Sequence, residues 1–278
     1  MSDNWGFYER RTESEQLRVL VNAGFKTDAP LEGYNDLLSV TVNLYPVREK
    51  NHTKREFVKL LERFEAGLEQ WLQSLGEAHY VGRINSLTRL EFYYYIGNGT
   101  VNEGMIREWV DSNWKFRVQY YMKRDPQWTF YNYMLPDQLE ELFVHNAQMI
   151  YALIHKGDNI NQPRNVYHWL LFQHDMDRQE MEATLKNMGY SIEKDKQTEP
   201  DNSYPYPLVI SKFEDVRLDT VNDRVRELYR LIAGYGGRYD GWGSIMKQSS
   251  GHRVKQGLRR LLGRIESSIR KMRSTRRS

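Results

Sequence analysis

The chain opens on strand-like alternation. Trp5-Gly6-Phe7-Tyr8 and Leu17-Arg18-Val19-Leu20-Val21 flank a polar stretch, a pattern that predicts a hairpin. After a loop with Pro30 and Gly33, Leu38–Tyr45 is β-branched and alternating and predicts a strand that Pro46 ends. From Thr53 to Leu75 the period changes. Phe57, Leu60, Leu61, Phe64, Leu68, Trp71, Leu72 and Leu75 recur at three and four residues, the stripe of an amphipathic helix. Thr53 and Glu56 have capping-box spacing, and Gly76 suits the C-terminal cap. Two strand-like runs follow, His79–Ile84 and Arg89–Ile96. A short helix over Glu103–Asp111 then leads into an aromatic, period-two run, Trp114–Tyr121. The order is β-α-β-β-α-β behind an extra hairpin.

Pro136–His155 again reads as a helix, and Lys156-Gly157-Asp158-Asn159, running to Pro163, marks a boundary. The same grammar then repeats without visible identity between the halves. Val166–Phe172 predicts a strand, Asp177–Met188 a helix stopped by Gly189, and Tyr190–Lys196 and Leu208–Phe213 two strands. Leu218–Ala233 predicts a helix and Gly237–Met246 the last strand. Two βαββαβ units predict an α+β protein of two tandem ferredoxin-like domains, antiparallel sheets with helices on one face. The expected boundaries are an N-terminal domain over 1–135, a linking helix and loop over 136–163, a second domain over 164–250 and a tail over 251–278. In that tail Val254, Leu258, Leu261, Leu262, Ile265, Ile269 and Met272 fall on one stripe opposite basic residues, so a C-terminal amphipathic basic helix is expected.

Charge sharpens this division. The 278 residues carry 40 basic and 37 acidic side chains, a formal +3. From His252 onward ten Lys/Arg stand against Glu266 alone, a local +9, which leaves the preceding residues at −6. Arg253, Lys255, Arg259, Arg260, Arg264, Arg270 and Lys271 form an electrostatic handle for an anionic partner such as RNA, an acidic protein surface or an anionic membrane. A hydrophobic fraction of 40% with 13% aromatics excludes a disordered chain. The absence of cysteine excludes disulfides, thiolate metal sites and cysteine catalysis. No apolar run approaches the ~20 residues of a bilayer span, and Met1–Trp5 lacks a signal peptide's character. A cytoplasmic protein is therefore expected.

Motifs for chemistry are few. P-loop, GxGxxG, HExxH and GxSxG patterns are missing, and no two of the seven histidines have i, i+4 spacing. No metal or cofactor is expected. His174-Asp175-Met176-Asp177 is a dense polar cluster, but it stands where a helix N-cap belongs. Tyr93-Tyr94-Tyr95 and the Trp114–Tyr121 run place aromatics on a sheet, where they either pack a core or stack RNA bases. The signature of the RNA-stacking sheet is missing. The most distinctive block is Gly237-Arg238-Tyr239-Asp240-Gly241-Trp242-Gly243. Strict alternation would put Tyr239, Gly241 and Gly243 on one face and Asp240 and Trp242 on the other.

That block resembles the RraB family, the regulators of ribonuclease E activity B. The likeness runs from about Asn165 to Met246. It includes the helix Arg178–Met188 with Gly189-Tyr190, the strand Pro207-Leu208-Val209-Ile210 and the helix Asp219–Ala233. Residues 1 to about 135, opening on Trp5-Gly6-Phe7-Tyr8, resemble an uncharacterised bacterial domain family that occurs fused to RraB-like domains. The resemblance implies a ferredoxin-like fold and a non-enzymatic regulator. Such a protein would act by protein–protein contact on a ribonuclease or another RNA-processing protein. Tyr239, Asp240 and Trp242 are the expected partner-binding residues, chosen for their distinctiveness. Two alternatives stay open: direct RNA binding through the tail and sheet aromatics, and a small-molecule or hydrolytic site at the domain junction.

Overall fold

The computed structural model describes residues 3–44, 54–76, 78–97, 99, 101–115, 117–194 and 203–247. The expected tail helix, with all seven of its named basic residues, and the Thr53 cap lie outside the described residues. Among the described residues, ten strands form two antiparallel sheets, with six α-helices. The chain divides into two compact units, the first running through Glu140 and the second from Glu141.

The first unit contains β1 (Trp5–Arg11), β2 (Gln16–Asn22), β3 (Asp36–Asn43), α1 (Lys54–Leu75), β4 (Ala78–Asn85), β5 (Arg89–Ile96), α2 (Glu103–Asn113), β6 (Val118–Arg124) and α3 (Thr129–Met134). Its six strands lie in the order β1-β2-β4-β5-β3-β6. One face buries Leu38, Val40, Val42, Phe92 and Tyr94 against the apolar stripes of α1 (Phe57, Phe64, Leu68, Leu72) and α2 (Ile106, Val110).

The expectation of helices on one face alone is corrected here. Tyr93 and Tyr95 alternate with Tyr94 and so point the other way, where the short helix α3 and its lead-in cover them. Tyr95 stacks on Trp128 with ring centroids 4.0 Å apart and planes at 8°, and Tyr93 meets Phe130 at 4.4 Å. Trp128 takes the left-handed backbone conformation (φ +50°), which a bulky residue holds only when its surroundings enforce it. Its indole N–H donates to Tyr34 O at 2.8 Å. Asp125 caps α3, accepting the Thr129 and Phe130 N–H groups and the Tyr95 hydroxyl. The triple tyrosine is therefore core on both sides of the sheet. The expected Trp114–Tyr121 strand is also corrected. The Trp114 N–H closes the end of α2 on Val110 O, its ring packs on Phe64, and the strand begins at Val118.

A bulge between Tyr80 and Gly82 breaks the β4–β5 register. Gly82 has φ +155°, and a Cβ there would lie 2.3 Å from Leu20 O, so only glycine lets β2 approach.

Leading into the second unit is α4 (Gln138–His155), opened by a reciprocal capping box. Glu140 N–H donates to Asp137 Oδ1, and Asp137 N–H donates to Glu140 Oε2. Then follow β7 (Arg164–Phe172), α5 (Asp175–Asn187), β8 (Ser191–Ile192), β9 (Tyr206–Glu214), α6 (Leu218–Ala233) and β10 (Arg238–Ser244). The strand order is β10-β7-β9-β8, antiparallel throughout. The strand expected over 190–196 is present only as Ser191–Ile192 among the described residues. Met181 and Leu185 of α5 and Val221, Val225, Leu228 and Ile232 of α6 are buried, the positions their periodicity selects.

An ion pair buried at both ends closes this unit. The Arg164 guanidinium donates to both Asp158 oxygens at 2.8 Å and also to Ile245 O just beyond β10. Lys247 N–H donates to Asp158 Oδ1, and Asn159 N–H donates to Lys247 O. The loop before β7 is thereby stitched to the chain leaving β10. Removing one partner strands the other charge in low dielectric. Asp158→Ala is expected to destabilise the second unit by about 3–5 kcal/mol, read from urea unfolding. A loss under about 1 kcal/mol would mean that the pair behaves as an exposed one.

Candidate functional site

The distinctive glycine-rich block is β10, and its register departs from the strict alternation expected for it. Tyr239 lies opposite Leu170, Gly241 opposite Trp169 and Trp242 opposite His168, so Asp240 is an extra residue with no partner across the strand. Gly241, at φ +136°, absorbs the backbone turn this bulge requires. Leu170 and His168 are two apart on β7 and share a face, and their opposite numbers Tyr239 and Trp242 therefore share it too. The bulge gathers the two aromatics on one side and leaves Asp240 at the surface.

Both aromatics are anchored by polar groups in the interior. Tyr239 is 7% exposed, and its hydroxyl lies 2.9 Å from Nδ1 of the fully buried His168. Burial, followed by the positive charges of Arg224 and Lys212, pulls the His168 pKa down to about 3. Burial also raises that of Tyr239. At neutral pH both groups are uncharged, and the pair shares a hydrogen bond without transferring a proton. The Trp242 indole N–H donates to Asn146 Oδ1 at 2.8 Å, and Asn146 Nδ2 donates to Asn222 Oδ1 at 2.9 Å. This chain ties β10 to α4 and α6 through buried side chains. Reasoning from the sequence overlooked His168, Asn146 and Asn222. The available signal was a polar residue in an otherwise apolar register, since His168 alternates with Val166, Leu170 and Phe172.

Between α4 and the bulged strand runs a groove of about 380 Å3. Leu142, His145 and Met149 line it from α4, and Trp169, Tyr239 and Trp242 line it from the sheet. Positions 142, 145 and 149 are one helical face. Asp240 sits at the rim, 3.4 Å from Arg238. The groove offers apolar and aromatic walls with a carboxylate at the mouth, suited to an apolar side chain followed by a polar or basic one.

The other candidate cluster falls elsewhere. Asp175 of the His174–Asp177 cluster accepts from Arg178 and Gln179, which lowers its carboxyl pKa. Glu140 is taken up by Arg10 in a two-pronged ion pair. Among the described residues no cluster of three or more acidic or histidine side chains could hold a metal ion. No described helix is long and apolar enough to cross a membrane.

Comparison with known proteins places both halves. Residues 144–244 match the family Regulator of ribonuclease activity B, and residues 3–135 match a family of unknown function, DUF695. The chain is 25% identical over 120 residues to a Regulator of ribonuclease activity B from Actinobacillus succinogenes, an alignment covering 42% of this chain and 84% of that protein. The matched segment 144–244 contains every groove residue named above except Leu142.

The depressed His168 pKa makes stability depend on pH. The folded value lies below the unfolded 6.5, so this contribution is complete above pH 6.5 and drains away as pH falls toward 3. The expected slope is about 1.4 kcal/mol per pH unit. In His168→Gln the fall in unfolding free energy between about pH 6 and 4.5 should be shallower than in the parent by roughly that slope. Equal slopes would show that His168 takes up no protons on unfolding.

Proposed function

We propose that this chain is a non-enzymatic regulator that binds a ribonuclease by protein–protein contact and modulates RNA processing. The observation that carries this reading is the aromatic groove on the bulged strand β10, set within a segment matching the Regulator of ribonuclease activity B family. In this reading each unit is a ferredoxin-like βαββαβ fold. The strand order β10-β7-β9-β8, and the equivalent β6-β3-β5-β4 within the larger sheet, support it. Tyr239 and Trp242 shape the groove from behind, their polar atoms turned to His168 and Asn146, while Asp240 meets the partner at the rim. The partner contributes an apolar side chain that fills the space between Met149 and Trp169.

The basic tail, with Arg253, Lys255, Arg259, Arg260, Arg264, Arg270 and Lys271, supplies a second, electrostatic contact to an acidic segment of the partner or to its RNA. The two contacts have different salt dependences, because exposed charges are screened over about 8 Å at physiological ionic strength whereas apolar burial is not.

Capture from a lysate of the source organism tests this. The full chain should retain a ribonuclease after nuclease treatment, and Met149→Glu with Asp240→Lys should lose it while the circular dichroism spectrum is unchanged. A chain truncated after residue 251 should bind about tenfold more weakly at low salt, with the difference vanishing at high salt. Loss of every partner after nuclease treatment would overturn the protein-contact reading in favour of direct RNA binding.

A further inference from the structure

The first unit has a cavity of its own, about 200 Å3, lined by none of the residues given a functional role above. Its walls are aromatic. Trp5 and Tyr80 lie with ring centroids 5.3 Å apart, and Tyr80 stacks on Tyr94 at 4.8 Å. Tyr80 donates its hydroxyl to Glu65, which fixes the ring between the other two. The rim is acidic. Asp3 and Glu69 line it, and none of the described lining residues is Lys or Arg. Asp3 is held in place by the Asn22 amide, whose own oxygen is occupied by the Asn4 and Gly24 N–H groups.

Two of the wall residues also carry unmet polar atoms. The Trp5 indole N–H and the Tyr94 hydroxyl are buried and have no hydrogen-bond partner among the described residues, on side chains 7% and 1% exposed. Three other large buried aromatics of this unit are satisfied: Trp128 by Tyr34 O, Tyr131 by Asn22 O and Tyr8 by Met134 O. A buried polar group left unmet is destabilising, and here two such groups belong to residues lining the same cavity. An indole N–H can only donate, so its natural complement is an oxygen.

From these features we propose that the N-terminal unit binds a small organic ammonium ion bearing an oxygen function. The positive centre would lie against the Trp5 ring, with Asp3 and Glu69 at its outer side. The hydroxyl or carbonyl oxygen would turn inward toward Trp5 and Tyr94. The space equals that of six or seven water molecules at ~30 Å3 each, enough for an amino alcohol or an alkylated one and too little for a nucleotide. The site is independent of the groove in the second unit and would give this regulator a small-molecule input.

The test is calorimetric titration of the full chain with choline and ethanolamine, each beside controls. The neutral isostere 3,3-dimethylbutan-1-ol removes the charge of choline, and tetramethylammonium removes its oxygen. At least one of the two cationic alcohols should bind, with the neutral isostere at least about tenfold weaker. Glu69→Gln should weaken the bound ligand about tenfold. Trp5→Phe should erase any advantage of choline over tetramethylammonium, because it deletes the donor and keeps a ring. Both variants are to be checked for unchanged circular dichroism. If Trp5→Phe fails to fold, the ligand comparison on the parent chain still decides. No heat from either cationic alcohol up to about 20 mM, or equal binding of the neutral isostere, would overturn the proposal.

Discussion

A β-strand sends successive side chains to opposite faces, and Tyr239 and Trp242, three apart, could not share a face on a regular strand. The extra residue Asp240 removes that obstacle. One unpaired position, made affordable by glycine at φ +136°, turns the second half of β10 over and brings both rings to the side occupied by His168 and Asn146. The groove, the buried histidine and the tie to α4 all depend on this slip. The first unit uses the same device at Gly82, where it permits β2 to approach β4 and keeps the six-stranded sheet continuous.

The two units manage aromatic content differently. In the first, both faces of the sheet are covered, so a run such as Tyr93-Tyr94-Tyr95 is buried whichever way each residue points. That arrangement needs hydroxyl and indole groups to be met inside, and most are, through backbone carbonyls and Asp125. Two of the groups left unmet, on Trp5 and Tyr94, belong to residues lining the cavity. In the second unit the aromatics of β10 are placed by neutral polar partners, and the inward ion pairs lie elsewhere. Arg164 with Asp158 holds one end, and Arg224 with Glu214 stands between β9 and α6.

These arrangements bear on how a regulator could be built. A groove whose back wall is fixed by hydrogen bonds to buried residues presents a preformed surface, so less ordering entropy is lost when a partner segment binds. In the proposed reading, the acidic rim residue Asp240 and the strongly basic tail, of opposite sign, would let one partner be read at two places by two kinds of charge.

Hydrophobic period alone was enough to delimit most elements, because the 3.6 and 2.0 residue repeats are local properties. The helix Leu218–Ala233 came out at its observed bounds, and so did the paired strands of the opening hairpin to within a few residues. The distinctiveness of residues 237–243 was likewise legible. Tertiary structure alone decided the rest. Whether Trp114 ends a helix or starts a strand depended on Phe64, fifty residues earlier, offering its ring a place. The helix Thr129–Met134 has too few residues to show a period, and it forms because Asp125 and Tyr95 cap it. Trp242 faces Asn146 and not the side alternation assigns it, because a bulge is a property of two paired strands and leaves no mark in the period of one.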